Sequence, residues 1–148
     1  MHNSKCTTHN FLLPLCIVHF ALCIVACSLP SLESPQCTEA RDAVKRFYSL
    51  HFAGDMRPST DALNARRVYL TEALAAELES QTETPRDYFT ATDNYPKAFR
   101  VGECVAETDG RVHLDVMLLW RDDVSSDQKH IDVETVKTGD KWLIAKVE

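Results

Sequence analysis

Residues 111 to 121 alternate apolar and polar side chains almost without fault, and no other stretch constrains the fold so strongly. Val112, Leu114, Val116, Leu118 and Trp120 fall on one side, with Arg111, His113, Asp115 and Arg121 on the other. A sustained period of two does not suit a helix; it demands a strand with one face on a core. Asp109-Gly110 ahead of it and Gly139-Asp140 beyond it are hairpin signals. The chain after Pro96 therefore reads as a four-stranded antiparallel meander over about 97–107, 111–121, 129–137 and 141–147, with a polar loop from Asp122 to Gln128. Ile131, Val133 and Thr135 form the core row of the third strand, and Trp142 and Ile144 that of the fourth.

The first strand has two readings. If Asp109-Gly110 makes a two-residue turn, the inward row is Phe99, Val101, Glu103 and Val105, which buries a carboxylate. If Gly110 instead takes the left-handed position of a three-residue loop, Cys104 and Ala106 point inward. A bulge at Gly102 then returns Phe99 and Val101 to the core. The bulge is preferred, because a glycine inside a strand marks one and an unpaired buried carboxylate is costly.

Ahead of Pro96 the period is helical. Ala40, Val44, Phe47, Tyr48 and His51 share one face, widened by Leu50 and Phe52, with Thr38 as N-cap and Gly54 as a left-handed C-cap. Two shorter helices are expected over about 60–67 and 71–81, the second capped by Thr71 with Leu74 and Leu78 facing inward. Pro85 ends that region, and Arg86 to Pro96 is an aromatic-rich loop or broken helix. Helices first and a meander afterwards imply an α+β class, with N-terminal helices packed on one face of a curved four-stranded antiparallel sheet.

The start of the chain has a different character. Phe11 to Cys27 is an apolar run of signal-peptide length. Its last four residues, Ile24-Val25-Ala26-Cys27, resemble a bacterial lipobox, whose cysteine receives acyl chains such as palmitate. On that reading 1–26 are a signal peptide, 27–37 the lipidated Cys27 and a Pro- and Ser-rich tether, and 38–148 a single domain. The domain would face outside the cytoplasm, anchored to the outer or cytoplasmic membrane of the cell envelope. Plain secretion with cleavage after Ala26 is the first alternative, although Ile24 is bulky for such a site. A retained membrane span is the second, although the run is shorter than the roughly 20 residues a span needs and contains Pro14 and His19.

Removing residues 1–26 takes away Lys5 and no acidic residue, which leaves 15 basic against 22 acidic residues and a net charge of −7. That balance argues against nucleic acid as a partner. Of the six cysteines, Cys6, Cys16 and Cys23 fall in the leader and Cys27 at its end, leaving Cys37 and Cys104. In an oxidising compartment a disulfide between these two is favoured; two unrelated buried thiols are the alternative.

The segments Ala43-Val44-Lys45-Arg46-Phe47-Tyr48, Arg66-Arg67-Val68-Tyr69-Leu70-Thr71, Phe99-Arg100-Val101-Gly102 and Gly139-Asp140-Lys141-Trp142-Leu143-Ile144 carry a resemblance. Together they are similar to an uncharacterised bacterial lipoprotein family, the domain-of-unknown-function 3828 type, with the cone-shaped fold of nuclear transport factor 2. The resemblance spans about 38–148 and implies the fold. It brings no catalytic residues to carry across.

In such a cone a catalytic site would lie between helices and sheet, but the expected inward positions of the second to fourth strands are Val, Leu, Trp, Ile and Thr. No carboxylate pair and no Asp–His pair lies at a spacing that signals acid–base work. His113 and His130 fall on outward rows, no metal-ligand spacing is present, and no cofactor motif occurs. Tyr48, His51, Tyr88, Asp93 and Tyr95 are candidates for the rim of a pocket; the alternative is that Tyr48 is core and the loop aromatics plug the cone. Met117 and Leu119, in the outward row between Asp115 and Arg121, make a candidate homodimer patch, with Arg100 on the neighbouring strand. The leading functional expectation is a membrane-tethered lipoprotein with a non-enzymatic ligand- or protein-binding domain. A small isomerase, hydratase or hydrolase is an alternative, as is an immunity or inhibitor protein for a basic exported partner. An outward Glu103 would remove the best candidate carboxylate for the enzyme.

Overall fold

The computed structural model describes residues 33–81, 86–121 and 126–148. The expected signal peptide, the lipidation site Cys27 and most of the tether lie outside the described residues, as do Pro85 and the first part of the 122–128 loop. No described helix is long and apolar enough to cross a membrane.

Helix α1 (Pro35–Ala53) starts ahead of the expected Thr38 cap. Ser34 is the N-cap, and its hydroxyl accepts from the Cys37 N–H at 3.2 Å. Pro35 therefore opens the helix instead of belonging to the tether. A proline in the first turn breaks no intrahelical bond and arrives with its φ already set. Gly54 is extended, with φ −102°, so the expected left-handed cap is not formed. Its N–H still reaches the Leu50 carbonyl at 3.2 Å, which closes the last turn without that conformation.

Helix α2 (Thr60–Arg66) is capped by Ser59, and a 3-10 turn over Arg67–Tyr69 follows it. Thr71 caps α3 (Glu72–Ser80) as expected, its hydroxyl accepting from Leu74 N–H at 3.2 Å. The Thr71 N–H donates to the Ile144 carbonyl at 2.9 Å, so the approach to α3 runs along the edge of the last strand.

The sheet is an antiparallel meander in the order β1 (Ala98–Ala106), β2 (Arg111–Arg121), β3 (Ser126–Thr138), β4 (Lys141–Val147). Among the described residues the fold is α+β, with three α-helices and one open four-stranded sheet. Strand β3 begins earlier than expected: Ser126 already pairs with Arg121, so the end of the supposed polar loop is strand. The bulge in β1 lies where the glycine marks it. Val101 faces Val116 and Cys104 faces Leu114, leaving Gly102 and Glu103 opposite Asp115 alone. A Cβ on Gly102 would sit 2.7 Å from Asp115 Oδ2, so any other residue there would require the Asp115 side chain to move. Gly110 takes φ +88°, the left-handed position of the longer loop, and Glu103 is exposed. Ala106, expected inward, is exposed as well. Cover from α1 reaches only to Cys104, because Cys37 in the first turn of the helix is bonded there.

Val44, Phe47 and Tyr48 of α1 are fully buried with Leu114, Val116 and Leu118 of β2 and Val133 of β3. Each such side chain contributes about 1.5–3 kcal/mol of burial. The Cys37–Cys104 disulfide joins helix to sheet with a Cα–Cα distance of 5.9 Å. Beside it, Arg41 Nη1 donates to the carbonyls of Val101 and Gly102, capping the bulge that the ladder leaves unpaired.

Candidate functional site

The polar chemistry of the interior gathers where α1 meets residues 86–92. Asp87 N–H donates to the Thr92 carbonyl at 2.9 Å, and Ala91 closes the turn at φ +51°. This turn brings Asp87 and Thr90 inward. His51 Nε2 lies 2.9 Å from Asp87 Oδ2, and Thr90 Oγ1 donates to the same oxygen at 2.7 Å. His51 and Thr90 are fully buried and Asp87 is 2% exposed. The rings of Phe47, Phe52 and Phe89 stand 5.8, 6.0 and 5.4 Å from that of His51. Its Nδ1 is buried without a partner among the described residues. A His–Asp pair is a general-base unit only when a substrate reaches the free nitrogen; here aromatic rings surround the imidazole.

Tyr48 donates its hydroxyl proton to the Phe89 carbonyl at 2.8 Å. Burial pushes its phenol well above the usual tyrosine value, and the Asp87 charge adds to this, so Tyr48 stays a neutral donor.

Next to this pair a cavity of about 270 Å³ lies between α2, the end of α3 and residues 86–89. Leu63, Leu78, Tyr88 and Phe89 form apolar wall, and Arg66 and Asp87 bring opposite charges to it. Arg66 is 5% exposed. It donates from Nη2 to the Asp55 carbonyl at 2.6 Å and stands 6.0 Å from the Phe89 ring centre. Desolvation lowers its pKa from the usual arginine value, while Asp87 and Asp55 act in the opposite sense.

The five expected rim residues do not come together. Tyr48 and His51 are core, because residues 87–90 fold over the inward face of α1 that carries them. Tyr88 alone of the five lines the cavity, and its hydroxyl oxygen accepts from Val147 N–H at 3.3 Å. Asp93 is exposed and Tyr95 half-buried, beyond the turn that Ala91 closes. Sequence reasoning missed Asp87, Thr90 and Arg66. An Asp–His pair 36 residues apart has no spacing signature, and Arg66 reads as half of a surface Arg-Arg doublet.

On the outer face of the sheet, His113 Nδ1 lies 2.7 Å from Asp132 Oδ2, and His130 Nδ1 lies 2.8 Å from Asp115 Oδ1. Met117 and Leu119 are half-buried in the same outward row of β2. Glu33, Cys37 and Cys104 are close enough to suggest a metal cluster, but both sulfurs are committed to the disulfide.

No protein-family model and no curated protein matches the chain. Solved structures do. The type VI native effector–immunity complex Tae3–Tai3 from Ralstonia pickettii contains a chain similar over 78% of this one and 94% of its own, at 16% identity and a TM-score of 0.53. A protein of unknown function from Bacteroides thetaiotaomicron is 15% identical, covering 91% of this chain and 98% of its own, at a TM-score of 0.49. At 16% identity the likeness to the Tae3–Tai3 chain is one of fold.

Proposed function

We propose that the chain is an exported lipoprotein of the cell envelope, tethered through Cys27, whose nuclear transport factor 2-like domain binds a ligand or protein without transforming it. The observation that carries the non-enzymatic reading is the enclosure of His51, at 0% exposure and with aromatic rings around its imidazole. The one interior His–Asp pair among the described residues ties α1 to the 86–92 turn, and its imidazole offers no approach to a substrate. Glu103, the other acidic candidate, is exposed.

A second reading, an immunity-type inhibitor, draws support from the likeness to a chain of the Tae3–Tai3 complex. The net charge of −7 after the leader suits a basic exported partner. Self-association through the outer sheet face around Met117 and Leu119 belongs to the same proposal. Leu119→Asp is expected to turn a dimer into a monomer in sedimentation, and monomers in both forms would exclude this pairing.

The test uses the full chain with exported proteins encoded beside it. Isothermal titration is expected to give a saturable complex with one of them and a fall in that protein's own activity. Cys27→Ser is expected to abolish acyl labelling and release the domain in soluble form. Substrate turnover by the chain, lost in His51→Gln, would contradict the non-enzymatic reading, and membrane retention of Cys27→Ser would contradict the lipid tether.

A further inference from the structure

We propose that the cavity between α2, α3 and residues 86–89 binds a free α-amino acid with an apolar side chain, its carboxylate on Arg66 and its ammonium group on Asp87. The proposal rests on the non-enzymatic binding reading and names the class of ligand.

Arg66 carries the argument. It is 95% buried, yet its one hydrogen bond goes to a backbone carbonyl, and no ion pair neutralises it among the described residues. A buried charge without a counter-ion is costly, and its retention points to a compensating partner. The planar guanidinium fork matches a carboxylate in two parallel hydrogen bonds. Asp87 supplies the complementary half. His51 and Thr90 both bond its Oδ2, which fixes the carboxylate and leaves Oδ1 for a donor in the cavity. His51 and Thr90 are thus positioning residues.

Four charged residues line the cavity. Glu79 and Arg86 are exposed, Glu79 being paired with Arg67, whereas Arg66 and Asp87 are buried and form no ion pair with each other. A plain anion would be opposed by Asp87 and a plain amine by Arg66, whereas a zwitterion satisfies both. Leu63, Leu78 and Phe89 leave room for an apolar side chain. The volume of about 270 Å³ falls just below the roughly 300–1,000 Å³ of pockets for drug-sized ligands, which suits a molecule of amino-acid size.

Isothermal titration of the full chain with L-leucine and L-phenylalanine tests this, alongside 4-methylpentanoate, which lacks the ammonium group, and 3-methylbutylamine, which lacks the carboxylate. Saturable binding of at least one amino acid is expected, with both single-charge analogues weaker by about tenfold or more. Arg66→Lys, which keeps the charge but loses the fork, should bind about tenfold more weakly. Leu63→Trp, which fills the cavity and spares both charges, should abolish binding while near-ultraviolet circular dichroism reports an intact fold. No saturation by either amino acid on the folded wild type would overturn the site, as would equal affinity for 4-methylpentanoate or unchanged binding by a folded Leu63→Trp. Those failures leave the partner titration standing. Chemical conversion of the bound amino acid, followed by proton NMR, would instead overturn the non-enzymatic reading.

Discussion

His51 and Asp87 meet at 2.9 Å beneath α1, while His113 and Asp132 meet at 2.7 Å on the outer face of the sheet, and the two pairs differ in little but their surroundings. The inner side chains are 0% and 3% exposed, the outer ones 28% and 44%. Outside, water screens the attraction and hydrates either partner when the other is removed, so such a pair is worth about 1 kcal/mol or less. Inside, losing one partner strands the other in a medium that cannot solvate it, at about 3–5 kcal/mol. Identical chemistry therefore clamps the fold on one side of the sheet and decorates it on the other.

The largest expected effect comes from opening the inner side. Replacing Cys37 and Cys104 together by alanine should lower stability in urea by about 4 kcal/mol, the chain-entropy value for this loop. Amide exchange should accelerate first in α1, ahead of β2 and β3. Next comes the direct contrast. Asp87→Ala should cost about 3 kcal/mol and Asp132→Ala less than about 1 kcal/mol; equal losses would break the comparison. A gain is expected at Ala91, whose φ of +51° holds Asp87 and Thr90 inward. Ala91→Gly should stabilise by about 1 kcal/mol, by removing the penalty on a Cβ in that region.

The smallest effect sharpens the outer side. The hydrogen bond to Asp132 raises the His113 pKa above its usual value. A raised folded-state pKa gives stability that is complete below the unfolded value of about 6.5 and lost as pH climbs through the folded value. The advantage of wild type over His113→Gln should therefore shrink as pH rises above the unfolded value of about 6.5 and through the raised folded value, by less than about 1 kcal/mol.

The outer pairs and the inner one were unequally legible in the sequence. Alternation over 111–121 assigns His113 and Asp115 to one face from spacing alone, and Gly102 inside the first strand marks the bulge that places Cys104 toward Cys37. Residues 86–92 carry no period, and their geometry depends on Ala91 adopting a conformation that no glycine advertises. Nothing local could therefore pair Asp87 with His51. The start of α1 was obscured for a related reason: Ser34 and Pro35 lie in a stretch whose prolines and serines read as tether, although the same two residue types begin helices. Arg66 was hidden because burial of a charged helix residue follows from what packs over it, and Phe89 arrives from a distant loop.

His51 is enclosed, whereas His113 and His130 on the outer face are open to solvent. Carbethoxylation of the native full chain by diethylpyrocarbonate near neutral pH, mapped by mass spectrometry of peptides, tests it directly. His113 and His130 should be labelled within minutes and His51 only after unfolding in denaturant. Labelling of His51 in the native protein as fast as His130 would contradict it.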